Sequence, residues 1–121
     1  MAQSAGLHEP EDHLTPETID RHRAIVSLME ELEAVDWYDQ RVQATADESL
    51  AGILAHNRDE EKEHASMLLE WLRRRDPALD RHLRTYLFTS GPILELEHED
   101  ASEAGDGDGS LGIGGLSGET S

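Results

Sequence analysis

Residues 56–72 read HNRDEEKEHASMLLEWL, and the fold turns on how the polar residues inside this run are read. Laid out at 100° per residue, Leu50, Ile53, Leu54, Asn57, Glu61, His64, Ala65, Leu68, Trp71 and Leu72 form one stripe whose members recur every three to four residues, the period of an amphipathic helix. The stripe is apolar except at Asn57, Glu61 and His64. A carboxylate on such a seam is costly unless a charge partner meets it, and without one it takes up a proton. The helix is expected to end near Asp76-Pro77, because proline restricts the residue before it.

Upstream, Thr15-Pro16-Glu17 reads as a helix start, with Thr15 as N-cap, Pro16 in the first turn and Glu17 near the positive end of the dipole. Ile25, Leu28, Leu32, Val35 and Val42 share one side of the segment that follows, which predicts a helix from about Pro16 to Ala44. Thr45-Ala46-Asp47-Glu48 matches a capping box, with Asp47 and Ser49 as further cap candidates. So short a turn makes the two long helices antiparallel neighbours, a hairpin about 40 Å long. Leu79, Leu83, Tyr86 and Leu87 predict a shorter third helix, cut at Thr89-Ser90-Gly91-Pro92. The expected organisation is all-α: a flexible N-terminus over 1–14, a helical domain over 15–96, a flexible acidic linker over 97–110 and a separate end over 111–121. The linker composition, HEDASEAGDGDGS, cannot bury enough apolar surface to offset the entropy of ordering.

The 27 acidic and 10 basic residues give a net charge of −17, and the 36% hydrophobic content is low for a chain of 121 residues that must form its own core. Burial is expected to need a partner. Eight of the acids lie in residues 95–121, which hold no Lys or Arg, yet the remainder is acidic as well. A field of that sign repels phosphate backbones and concentrates cations, so nucleic acid is not an expected partner and metal ions are. The absence of cysteine excludes disulfides, thiolate zinc sites, iron–sulfur clusters and cysteine nucleophiles. No apolar run is long enough for a membrane span, and the start MAQSAGLHEPEDH has neither the basic nor the apolar region of a signal peptide, so the expectation is a soluble protein that is not exported by such a signal.

Glu61 and His64 lie at i and i+3, so both side chains leave the same helical face and can converge on one ion. Helix one carries a matching feature within MEELEAVDWY. Glu30 and Glu33 point toward its polar side, whereas Glu31 falls beside Ala24, Leu28, Val35, Tyr38 and Val42. One inward Glu plus one Glu-x-x-His is half the inventory of a ferritin-like dimetal carboxylate bundle. No second Glu-x-x-His accompanies it on a long helix, which implies that two chains pair to complete a four-helix bundle with the metals near the two-fold axis. Glu31, Glu61 and their symmetry mates supply four negative charges, which two Fe²⁺ ions balance. Mixed carboxylate and imidazole ligation suits iron, and also admits manganese or zinc. Asn57 and Tyr38 are spaced to hydrogen-bond around such a site. Taken alone, Glu-x-x-His is a weak motif; Glu31 on the facing helix is what strengthens it.

The segments HRAIVSLMEELEAVDWYDQR (22–41), HNRDEEKEHASMLLEWLRRR (56–75), LRTYLFTSGPI (83–93) and SLGIGGL (110–116) together resemble the encapsulated ferritins, two-helix relatives of ferritin housed inside encapsulin shells. The resemblance implies ferroxidase ligands at Glu31, Glu61 and His64, a catalytic-site residue at Tyr38, an interface residue at Trp37, and an outer metal site at Glu30 and Glu33 for Ca or another divalent cation. It further implies a homodimer assembling into a ring-shaped decamer, residence in the cytoplasm inside an encapsulin nanocompartment, and LGIGGL as the shell-targeting peptide. In that peptide Leu111, Ile113 and Leu116 would fill apolar pockets while the glycines let the backbone settle in a groove. A Ser is common where this chain has Gly115, a departure that leaves the three anchors in place.

The expected function is oxidation of Fe(II) to Fe(III) by O₂ at a di-iron site between two subunits, with storage left to the shell. One alternative is a rubrerythrin-like di-iron peroxide reductase, which would want an electron-donating centre that a chain without cysteine cannot supply as a rubredoxin site. A second is a non-catalytic acidic helical scaffold or metal buffer, whose inward polar residues set the register of a dimer.

Overall fold

A computed structural model of the chain describes residues 6–98. The expected targeting anchors Leu111, Ile113 and Leu116, and all but the first two positions of the expected linker, lie outside these residues. Among the described residues every regular element is helical. A 3-10 turn at Glu11–His13 precedes helices α1 (Pro16–Ala44), α2 (Glu48–Arg74) and α3 (Pro77–Tyr86). None of these helices is long and apolar enough to cross a membrane.

Local chemistry fixes the ends of each helix. The Thr15 hydroxyl accepts from the Thr18 amide at 3.1 Å, and Pro16 occupies the first turn of α1, where its missing N–H is no loss. The helix then runs for 29 residues, about 43 Å. It closes where the Thr45 amide donates to the Arg41 carbonyl at 3.1 Å. The cap of α2 is Asp47, whose Oδ1 accepts from the Leu50 amide at 2.9 Å. Thr45, the capping-box residue of the sequence reading, instead accepts from the Asp47 amide at 3.2 Å and so braces the turn that presents the true cap.

Glu31 on α1 meets His64 on α2, and Asp39 further along α1 meets Arg58 earlier on α2, so the two helices run antiparallel. Their shared core is thin. Ala24, Ala65 and Leu72 are its buried apolar residues, and no large side chain among the described residues is fully buried. Leu28, Val35, Val42, Leu54 and Leu68 are half-buried, whereas Ile25, Leu32, Trp37, Leu50, Ile53 and Met67 stand exposed, Ile53 at 57% and Leu32 at 54%. Much of the apolar stripe that defines each helix therefore faces outward from the single chain. Exposed apolar area on this scale marks a surface meant for burial.

A second unit begins at Asp76. Asp76 caps α3 by accepting from the Leu79 amide at 3.0 Å, and Pro77 takes the first turn. Past α3, Phe88 adopts a positive φ of 62°, a conformation unfavourable for a bulky side chain. Gly91-Pro92 separates this elbow from a helical stretch at 93–98.

Candidate metal centre

Three side chains from the middle of the hairpin converge. Glu31 comes from α1, and Glu61 and His64 come from one face of α2, with a donor atom of each lying within 4.8 Å of the other two. His64 Nδ1 stands 3.4 Å from Glu61 Oε1 and 3.5 Å from Glu31 Oε1. The side chains of Glu31 and Glu61 are about a quarter exposed, at 26% and 24%, and His64 is more open at 42%. Ala65, buried immediately after His64, has no bulk with which to hold α1 away.

The electrostatics of this trio differ from those of an ordinary surface ion pair. Contact with the Glu61 carboxyl, then burial, then the Glu61 charge raise the affinity of Glu31 for a proton above the usual carboxylate value, and His64 only partly opposes them. Burial works against a charge on His64, but the hydrogen bond to Glu61 and the charges of both carboxylates outweigh it and hold the imidazole above its usual value of 6.5. Glu70, farther along α2, behaves in the opposite way: its hydrogen bonds to Arg73 and Arg74 pull it down to about 2. Glu70 has two guanidiniums, whereas Glu31 has only the His64 imidazole, 3.5 Å away. Glu31 Oε1 is shut off from solvent without a hydrogen-bond partner, its contact with His64 at 3.5 Å being a charge contact and not a hydrogen bond.

A buried carboxylate oxygen without a donor, beside a second carboxylate and an imidazole, is the donor set that a divalent ion satisfies. The residues therefore fit Fe(II), with manganese and zinc also compatible. Two grooves lie away from the trio, one beside Glu11, Asp12, Leu14 and Arg23 and another beside Met67, Trp71 and Arg75. Three candidate donors from one chain would leave the remaining positions of a bound metal to be filled from outside it.

The other expected residues sit around this trio. Tyr38 is half-buried on α1 with the Arg41 guanidinium 5.5 Å over its ring, and Asn57 is half-buried one turn before Glu61. Neither hydrogen-bonds Glu31, Glu61 or His64 in the single chain. Glu30 is exposed and Glu33 half-buried, and neither belongs to the converging group. One polar pair escaped the sequence reading altogether. Arg58 Nη1 reaches across the hairpin to Asp39 Oδ1 at 3.0 Å, while its Nε donates to Asp59 Oδ1 at 3.2 Å. Both Arg58 and Asp39 belong to the polar flanks of their helices, and only the antiparallel register reveals that they meet.

Comparison with known proteins identifies relatives of this chain. The EncFtn-like family profile matches residues 6–90. An encapsulated ferritin-like protein of Rhodospirillum rubrum is 61% identical over an alignment covering 98% of this chain and 94% of that relative. A ferritin-like protein of Thermotoga maritima is 57% identical, covering 88% of this chain and 93% of the relative. The encapsulin nanocompartment cargo protein EncC of Myxococcus xanthus is 36% identical over 58% of each chain. Among solved structures, a protein of Nitrosomonas europaea superposes with a TM-score of 0.71 at 66% identity, covering 73% of this chain and 97% of that one. The hairpin, its inward carboxylates and these likenesses agree: the fold is ferritin-like and the chain belongs to the EncFtn-like family.

Proposed function

We propose that this protein is a ferroxidase: Glu31, Glu61 and His64 from each of two copies hold Fe(II), which is oxidised by O₂ and passed on for storage within an encapsulin shell. The observation that carries the reading is the solvent-excluded, unpartnered Oε1 of Glu31 beside Glu61 and His64. Fe(II) is the substrate, and each ion gives up one electron to O₂. The chain's own part is to supply charge and to manage protons. The neighbouring Glu61 carboxyl raises the affinity of Glu31 for a proton, and an arriving cation competes with that proton. His64 turns Nδ1 toward both carboxylates, so that nitrogen is the one offered to a metal.

Pairing of two copies is supported by the outward apolar stripe on both helices and by a ligand set that is half of a dimetal carboxylate site. We assign Tyr38 to the surroundings of the metals, and Glu30 and Glu33 to an outer site for Ca or other divalent ions. Higher assembly into a ring of dimers belongs to the same proposal. The names of the relatives from Rhodospirillum rubrum and Myxococcus xanthus support cargo status in an encapsulin compartment, with Leu111, Ile113 and Leu116 as the anchors that the shell would grip.

Anaerobic Fe(II) titration followed by air tests the activity. Saturation at about one iron per chain, with oxidation on mixing, is the expected result. Oxidation no faster than the buffer background would leave the trio as an ion-pair device that sets helix register, and the ferroxidase reading would fall.

A further inference from the structure

The hairpin brings its metal ligands together from two helices whose shared core is made of Ala24, Ala65 and Leu72. With only two alanines and one leucine buried, and Leu28, Val35, Val42, Leu54 and Leu68 half-exposed around them, apolar packing specifies the axial register of α1 against α2 less tightly than a filled core would. The metal trio needs that register. A residue rises about 1.5 Å along a helix, and a ligand constellation tolerates errors of only about 0.5 Å.

Arg58 is placed to supply what the core does not. It lies one turn before Glu61 on α2, its side chain is 23% exposed, and it reaches Asp39 on α1 at 3.0 Å. Its other face is held by Asp59 at 3.2 Å, which in turn lies 3.5 Å from Lys62 Nζ. The guanidinium is thus held on α2 and directed at a fixed point of α1, and its planar fork has directional demands that apolar contacts lack. Asp39 lies eight residues beyond Glu31 on the same helix, so fixing Asp39 against Arg58 fixes Glu31 against Glu61 and His64.

We propose that Arg58 and Asp39 are positioning residues for the metal trio, locking the register in which Glu31 meets Glu61 and His64; the inference rests on the metal-site reading above. It makes a prediction that separates it from simple electrostatics. Removing the Arg58 cation makes the neighbourhood more negative, so a pure field effect strengthens metal binding in R58Q and weakens it in D39N. Loss of register weakens binding in both.

Co(II) titration of the full chain, free of other metals and at fixed protein concentration, reads this from affinity and from the visible absorption band that reports ligand geometry. R58Q and D39N are each expected to raise the Co(II) dissociation constant by about three- to tenfold and to shift the band. The double variant D39N/R58Q should be no worse than the weaker single, because the two act as one unit, and R58K, which keeps the charge but not the fork, should recover only a small part of the loss. Helical content by circular dichroism and protomer association are followed alongside. Tighter binding in R58Q, losses that add in the double variant, or constants and bands unchanged in all variants would each overturn the proposal. Should the unsubstituted chain bind no Co(II), the metal-site reading itself fails, a result distinct from any of these.

Discussion

Glu31→Gln separates a metal ligand from a structural carboxylate, because the two roles demand opposite signs. In the metal-free chain, Glu31 and Glu61 present oxygens within 4.8 Å of each other. At an effective dielectric of about 20, two full charges at that distance repel by about 3.5 kcal/mol. Side chains a quarter exposed, and an imidazole 3.4 to 3.5 Å away, screen most of this. About 1 kcal/mol remains as the relief expected on neutralising Glu31. The amide of glutamine adds a donor that Glu61 can accept, beside an oxygen that now has no partner. Under chelator, E31Q should therefore melt several degrees above the unsubstituted chain, since 1 kcal/mol moves the midpoint of a small domain by about 4–8 °C. With Co(II) or Fe(II) added the order should invert. A ligand at 100 times its dissociation constant stabilises by about 2.7 kcal/mol, and E31Q, with one of three ligands blunted, forfeits most of that. The assay is a thermal melt at fixed protomer concentration, in chelator and in metal. Should E31Q melt below the unsubstituted chain in chelator as well, Glu31 is a structural hydrogen-bond partner and the reasoning fails.

The same trio sets a pH trend. Glu31 and His64 both bind protons more tightly in the folded chain than their ordinary values of 4.5 and 6.5. The folded state then holds more protons than the unfolded one between those values and the raised ones, so stability is present at low pH and is lost as pH rises through the window. The urea midpoint of the metal-free chain should fall between about pH 5 and pH 8. Glu70, held at about 2 when folded against an ordinary 4.5, adds a rise only at the acidic edge of that range, so a midpoint that keeps rising above about pH 6 would refute the assignment. His64→Ala and Glu61→Ala should each abolish iron oxidation while far-ultraviolet dichroism shows the helices intact, and persistent oxidation in both would sink the site. Deleting residues 110–121 should leave oxidation unchanged and end co-purification with a co-expressed shell protein; continued co-purification would dismiss the targeting role.

Local periodicity made the helices legible. The three–four spacing from Leu50 to Leu72 and the Thr15-Pro16 start required no tertiary information, and the helix bounds of α1 agree with the structure residue for residue. Capping was harder to read. Thr45 and Asp47 both satisfy the chemistry of a cap, and which one serves depends on how many residues the chain needs to reverse direction. The trio was legible because Glu61 and His64 break an apolar stripe and Glu31 breaks its counterpart, and burial of charge is an anomaly that a sequence displays. Arg58 and Asp39 break nothing. Each is a charged residue on a charged flank, so their contact exists only once the register of two helices is known. Exposed Ile53 and Leu32 show the converse limit: apolar periodicity announces that a face will be buried without saying by which molecule.

On the two-copy reading, metal binding and pairing are a single equilibrium. Each copy brings to the seam two carboxylates and one imidazole, flanked by apolar residues such as Ile53, Leu32 and Leu50 that remain exposed in the single chain. The apolar rim favours association through lost water contact, whereas four carboxylates brought face to face oppose it. Two divalent ions cancel that opposition and leave the apolar gain unopposed. A metal that binds the pair better than the single copy must, by linkage, favour the pair by the same factor by which pairing favours the metal. The half-site of each chain then sets when assembly occurs as well as where oxidation happens. A core as thin as Ala24, Ala65 and Leu72 becomes intelligible: a hairpin with a self-sufficient core would leave its metal ligands without a reason to meet a second copy.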